Sequence, residues 1–134
     1  MSNLVPKGWS WQELGRIFDI AIGGTPSRSN PDYWDSDKRT NNRWLSIRDL
    51  KGRMISDTSE YLSDKGVKNS NVKLVPKGTV IMSFKLSVGR TAYTGVDLYT
   101  NEAIVAFFPK NLEQINLDYF YHGLHFWDLD RKSV

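Results

Sequence analysis

The sequence predicts an α+β fold in one domain spanning residues 1–134. Three observations predict it. Runs rich in β-branched and aromatic residues, bounded by turn formers, crowd the stretch from Thr79 to Pro109 and read as strands. Helical spacing of apolar residues shows only near the two ends of the chain. Strands and helices therefore do not alternate strictly, which favours α+β over a doubly wound sheet. A chain of this length buries roughly two thirds of its unfolded surface around a single core, so no covalent staple is required.

The elements follow in order. Ser10 and Glu13 form an S-x-x-E capping box, and the spacing predicts a short helix over Trp11 to Ile17, with Trp11, Leu14 and Phe18 facing the core. The next stretch, "GGTPSRSNPDYWDSDKRTNNRW" (Gly23 to Trp44), is dense in Gly, Ser, Pro and Asn and reads as a long loop. "RWLSIRDL" (Arg43 to Leu50) alternates enough to predict a short strand. Ser59 to Lys65 predicts a capped helical turn, with Gly66 just past its end. Pro76 and Gly78 sit at favoured turn positions, so Thr79 to Phe84 is expected to be a strand. "RTAYTGV" and "EAIVAFFP" read as two more, joined by the turn-rich "GVDLYTN". A closing helix is expected from Leu117 to Trp127, where Tyr119, Phe120, Leu124 and Trp127 recur at helical spacing. "LVPKG" occurs at both Leu4–Gly8 and Leu74–Gly78, but the flanks differ, so a shared turn sequence explains it better than an internal duplication.

Cysteine is absent, which removes disulfides and thiolate metal clusters from consideration. The N-terminal stretch lacks the apolar run of a signal peptide, and the longest apolar run, Ala103 to Phe108, is far too short to span a bilayer. A cytoplasmic protein without membrane contact is expected. The formal net charge of +3 is unevenly spread. Lys65 to Arg90 carries six basic residues and no acid, and Gly23 to Arg53 carries seven against four, whereas Thr91 to Val134 holds six acids against three. Such asymmetry suggests a side that faces a polyanion; a solvated lysine-rich surface is the competing account.

Catalytic patterns are weak. "NPDY" (Asn30 to Tyr33) approaches the [DN]-P-P-[YF] motif of amino-methyltransferases, but Asp32 stands at its third position and the element order leaves no room for a sulfonium-binding sheet. "GGTPS" lacks the Gly-Lys-Ser/Thr ending of a phosphate loop. His122 and His125 are spaced to share a metal on the closing helix, with no third ligand at a recognisable spacing. No cofactor or metal is expected.

The blocks "GWSWQELGRIFDIAIGGTPSRSNPDYW", "RWLSIRDLKG", "KLVPKGTVIMSFKLSVGRTAYTG" and "YTNEAIVAFFP" resemble, in order and spacing, the target recognition domain of type I restriction-modification specificity subunits. The resemblance runs from Gly8 to about Tyr121. It rests on Trp9, Leu14 and Gly15; on Gly23, Thr25, Pro26, Ser27, Tyr33 and Trp34; on Pro76, Gly78 and Thr79; on Gly89 and Arg90; and on Thr100 and Asn101.

The resemblance implies a single β-rich target recognition domain with a short N-terminal helix, a long ordered loop, a curved central sheet and a closing helix. It implies a reader of double-stranded DNA that is not itself an enzyme and that recognises one half of a bipartite site. In that family a subunit carries two such domains joined by long helices, which bind adenine methyltransferase subunits; a motor and nuclease subunit joins the same complex. This chain is expected to match one half of that arrangement, without the spacer helix. Lys65, Lys68, Lys73 and Lys77 are expected at phosphates, and Arg28, Arg43, Arg48, Lys85 and Arg90 at base edges. Gly23, Thr25, Pro26, Tyr33, Trp34 and Trp44 are expected to shape the loop, with DNA contact by Tyr33 or Trp34 as the alternative. Two rival functions compete: a protein-interaction module using "AIVAFFP" and the closing helix, and a free-standing catalytic domain around Asp32, Asp35 and His125.

Overall fold

The computed structural model describes residues 16–84 and 90–110. The expected helices over Trp11 to Ile17 and Leu117 to Trp127 fall wholly or almost wholly outside these residues, as do Lys85, Gly89, His122 and His125. Among the described residues eight strands run in chain order: β1 (Phe18–Ile22), β2 (Arg43–Leu45), β3 (Met54–Ile55), β4 (Glu60–Tyr61), β5 (Val80–Ser83), β6 (Thr91–Thr94), β7 (Tyr99–Thr100) and β8 (Ile104–Pro109). They form a five-stranded sheet, β1-β8-β5-β6-β3, and a three-stranded sheet, β4-β2-β7. Most pairs are antiparallel, while β3 with β6 and β2 with β7 run parallel. This mixed β-rich fold agrees with the α+β expectation.

The central strands are those the sequence marks most strongly. All four residues of β5 are buried, as suits a strand covered on both faces, whose sequence shows a continuous apolar run. One face of the larger sheet offers Ile55, Ile81, Ala92, Ile104 and Ala106, which join Leu45, Leu50, Val75 and Leu98 in one core cluster. On the opposite face Phe18 meets Phe107 edge to face at 5.7 Å, beside the buried Val80, Met82 and Val105. Each large side chain buried this fully contributes about 1.5–3 kcal/mol.

Four local expectations are corrected. Residues 18–22, where the sequence predicts no strand and only Phe18 is placed with the helix, on its core face, form strand β1 in register with β8, from Phe18 opposite Pro109 to Ile22 opposite Val105. The strand expected over Arg43 to Leu50 stops at Leu45, because the 3-10 turn Ile47–Asp49 bends the chain and carries Leu50 into the core at 0% exposure. The helical turn expected over Ser59 to Lys65 begins only at Asp64: Glu60 and Tyr61 are drawn into pairing with β2, and Ser63 caps the short helix Asp64–Lys68 by accepting from the Gly66 N–H at 3.0 Å. Gly66 therefore lies inside the helix, against the Tyr33 carbonyl, where an added Cβ would stand 2.2 Å from that oxygen. The connection between β6 and β8 contains strand β7 as well as turns.

Candidate nucleic-acid interface

Strand register gathers the most distinctive sequence segments at one end of the larger sheet. Ile22, the last residue of β1, faces Val105, and Ser83, the last of β5, faces Ile104. At that same end Thr91 opens β6 opposite Met82, while β3, parallel to β6, starts two residues further along it with Met54 beside Tyr93, so that the turn before it points back toward this end. The segments leaving this Gly23 end are therefore Gly23–Pro26, the β5–β6 connection ending at Arg90, the turn before Met54, and Thr100–Glu102 before β8.

Close backbone contacts fix the first of these. The Gly23 N–H donates to the Ile104 carbonyl and the Gly24 N–H to that of Thr100 at 2.9 Å. A Cβ on Gly23 would lie 1.9 Å from the Thr100 oxygen, so only glycine permits the approach. The Thr25 hydroxyl donates to Glu102, Pro26 is buried, and the Lys73 ammonium reaches the Ile22 carbonyl at 3.0 Å. Asn101 accepts from the Ala103 N–H through its side chain while its own N–H donates to Leu45, which joins the two sheets here.

The loop from Gly23 to Trp44 folds onto these contacts through its aromatics. Trp44 is 2% exposed, and its indole N–H donates to the Gly24 carbonyl at 2.9 Å. The Trp34 indole donates to the Ser27 carbonyl at 3.0 Å. The Arg28 guanidinium lies 4.1 Å from the Trp34 ring centroid and 5.0 Å from that of Trp44, and pairs with both carboxylate oxygens of Glu60 at 2.8 and 3.0 Å. Hydrogen bonding to Glu60 raises the Arg28 pKa, so the cation is firmly retained. Tyr33 takes part through its carbonyl, which accepts from the Ser63 N–H.

The basic candidates separate into distinct surroundings. Arg43 pairs with Asp57 at 3.2 Å and lies over the Tyr61 ring, whose hydroxyl also donates to Asp57. Arg48 is exposed and has no carboxylate partner among the described residues. Arg90 is half-buried at the Gly23 end and donates to the Leu50 carbonyl at 3.4 Å. Lys65 and Lys68 belong to the short helix beside Tyr33, with Lys65 3.6 Å from Asp32. Lys77 sits at the opposite end of the sheet, where its N–H donates to Asp97 and the neighbouring Gly78 N–H to Thr94.

Sequence reasoning does not single out Glu60 or Asp57, the carboxylates that hold Arg28 and Arg43, nor Lys51 and Arg53, although both basic residues stand in the basic stretch Gly23 to Arg53. Asp35, a candidate in the catalytic reading, accepts from the Thr40 N–H at 2.7 Å and the Thr40 hydroxyl at 2.9 Å. The backbone bond lowers its pKa, the opposite of what a general base near neutral pH requires. Among the described residues no group of three His, Asp or Glu side chains is placed to hold a metal, and no helix is long and apolar enough to cross a membrane.

Comparison with known proteins places this architecture. Residues 6–132 match the family model described as the type I restriction modification DNA specificity domain. The chain is 28% identical over 110 residues to the MjaIX specificity subunit of Methanocaldococcus jannaschii, covering 80% of this chain and 24% of that protein. It is 27% identical over 116 residues to the EcoR124I/EcoR124II specificity subunit of Escherichia coli, covering 84% and 28%. The fold superposes on the HsdS subunit of Thermoanaerobacter tengcongensis with a TM-score of 0.68 at 19% identity, over 94% of this chain and 29% of that one. The chain thus spans about a quarter of the length of the relatives it matches. It belongs to the family of type I restriction modification DNA specificity domains.

Proposed function

We propose that this chain is a DNA target recognition domain that reads one half of a bipartite site and gives a type I restriction-modification complex its target specificity. The observation that carries this reading is the convergence at the Gly23 end: a rigidly pinned glycine-rich loop, the Arg90 segment and the turn before β3 leave the sheet side by side. Cations fixed on a rigid rim suit both jobs of a duplex reader, phosphate contact for position and guanidinium contact for sequence. Arg48 and Arg90 are the strongest base-edge candidates by place, and Lys85 is kept as a candidate on the sequence alone. Arg28 and Arg43 enter already oriented by Glu60 and Asp57. Lys65, Lys68 and Lys73 serve phosphates, whereas the position of Lys77 at the far end leaves it outside the main contact surface. Tyr33, Trp34 and Trp44 shape the loop with Gly23, Thr25 and Pro26.

The chain supplies the address, in the cytoplasm, without cofactor. Methylation is assigned to an adenine methyltransferase subunit and cleavage to a motor and nuclease subunit of the same complex. The protein-interaction alternative loses support from the burial of β8, since Ala103 to Phe107 is 5% exposed or less and lies between β1 and β5. Its apolar run is core and offers no free face.

Selection of bound duplexes from a random pool tests the reading. Recovery of one short enriched sequence, with retention that weakens steeply as salt rises, is expected. Retention of duplexes with no enrichment would leave a general polyanion binder and end the claim of target recognition.

A further inference from the structure

Arg28 and Glu60 pair through two hydrogen bonds at once. Arg28 Nη1 donates to Glu60 Oε1 at 2.8 Å and Nη2 to Oε2 at 3.0 Å, an arrangement that fixes direction as well as distance. Glu60 is itself anchored: its backbone stands opposite Trp44 in the β2–β4 pair, its carbonyl accepts from the Thr58 hydroxyl at 2.8 Å, and its side chain is 27% exposed. The Trp34 ring, 4.1 Å from the guanidinium, restrains the cation from a second direction. A guanidinium carries five N–H donors. The pair uses one on Nη1 and one on Nη2, and the exposed Arg28 has no other hydrogen-bond partner among the described residues. The Nε–H and the second Nη2 N–H therefore form a two-donor edge of the kind that meets O6 and N7 of guanine.

Charge around Arg28 decides what that edge takes. The Thr25 hydroxyl donates to Glu102, whose carboxylate lies within electrostatic reach of the guanidinium. Hydrogen bonding to Glu60 first, then the charges of Glu60 and Glu102, raise the Arg28 pKa against the effect of burial. Two carboxylates thus face one cation. A phosphate approaching Arg28 is repelled by both, whereas a base edge carries no net charge and meets only the donors.

Resting on the DNA-reading function above, we propose that Glu60 is a positioning residue for specificity: it holds the Nε–Nη2 edge of Arg28 toward a guanine and withholds the guanidinium from phosphates. The competing account is purely structural, with Glu60 fastening the loop to strand β4 through Arg28.

The test compares the full chain with Arg28→Ala, Glu60→Gln and Arg28→Lys on the duplex recovered by selection, on its single-base variants and on random duplex, with unfolding midpoints taken for each. Arg28→Ala is expected to lose about 5- to 150-fold at one guanine position and to keep the parent salt slope, because no phosphate contact is lost. Glu60→Gln is expected to weaken discrimination at that same position and to bind random duplex more tightly. Its slope of log affinity against log salt should steepen by about 0.9, the share of one added phosphate contact. Arg28→Lys keeps the charge and a bond to Glu60 but has no two-donor edge, so it should lose the guanine preference even where Glu60→Gln fails to fold; a lysine chain that keeps the preference overturns the proposal. If a folded Glu60→Gln chain keeps the guanine preference or the parent slope, or weakens binding alike on every sequence, the proposal fails and the DNA-reading function stands. Equal loss on all sequences in Arg28→Ala, with a slope lower by about 0.9, makes Arg28 a phosphate contact and likewise overturns the proposal. A parent chain that enriches no sequence overturns both.

Discussion

Trp34 and Trp44 meet edge to face, with ring centroids 5.2 Å apart and planes at 89°, and the Arg28 guanidinium rests against both. One cation thus ties together the loop, strand β2 and, through Glu60, strand β4. The side chain of Arg28 is 56% exposed, so its ion pair alone is weak; the stack supplies most of the coupling. A double-mutant cycle of Arg28→Ala and Trp34→Ala is expected to show an interaction energy of about 0.5–1 kcal/mol. Trp44→Ala alone is expected to cost about 3–5 kcal/mol, since it empties a core position. Additive effects of Arg28 and Trp34 in urea unfolding would dismiss the stack as a stabilising unit.

Gly66→Ala reverses a familiar sign. In an ordinary helix interior, alanine is better than glycine by about 1 kcal/mol. Here the added methyl would meet the backbone oxygen of Tyr33 at 2.2 Å, and a backbone atom held by the Ser63 N–H cannot move aside cheaply. We expect a net loss of more than about 1 kcal/mol. An alanine chain as stable as the parent would show that the helix and the Tyr33 turn separate easily.

How far the sequence discloses this arrangement depends on where each signal resides. Strands β5, β6 and β8 are legible because burial on both faces demands long β-branched and aromatic runs. Strand β1 is concealed: Phe18 continues the helical spacing of Trp11 and Leu14, and the alternation of Ile20 and Ile22 with Asp19 and Ala21 is brief. Strands β3, β4 and β7 have two residues each, too few for any period, and exist because partners distant in sequence present hydrogen-bonding edges. The site shows the same division. Turn formers mark the Gly23–Trp44 loop, but nothing local links Arg28 to Glu60. Basic residues can be counted, yet their sides cannot: Lys77 and Arg90 lie at opposite ends of the sheet because strand β5 runs its length between them.

The Asp57–Tyr61 bond sets a pH dependence at both extremes. Donation from the Tyr61 hydroxyl first, then from the Thr58 backbone and Arg43, holds the Asp57 carboxyl below its ordinary 3.8. A depressed carboxyl contributes stability that is fully present above its unfolded value and is lost as pH falls through the lower folded one. The same bond raises Tyr61 above 10.0, so its share is present below that value and lost as pH rises through the higher folded one. Asp57→Asn is expected to flatten the acid limb of the urea midpoint against pH, while Asp35 keeps its own part of that limb. Superimposable acid limbs would refute the assignment. Tyr61→Phe should weaken both limbs.

The last prediction separates reading from gripping. Arg90 is half-buried at the Gly23 end and already spends one N–H group on the Leu50 carbonyl, so its guanidinium is aimed by the fold; Arg48 stands exposed on the 3-10 turn. A guanidinium that meets guanine with two donors discriminates by about 1–3 kcal/mol against the wrong base, while a phosphate contact weakens all sequences alike. Arg90→Ala is therefore expected to lose about 1–3 kcal/mol on the selected duplex and far less on random duplex. Arg48→Ala is expected to do the same at a different base position, because the two residues approach from different segments. Binding of each variant to the selected duplex, to single-base variants of it and to random duplex decides the matter. Loss of equal size on every sequence reassigns that arginine to the phosphates. Loss of equal size on every sequence for both arginines would move the reading face away from this end of the sheet.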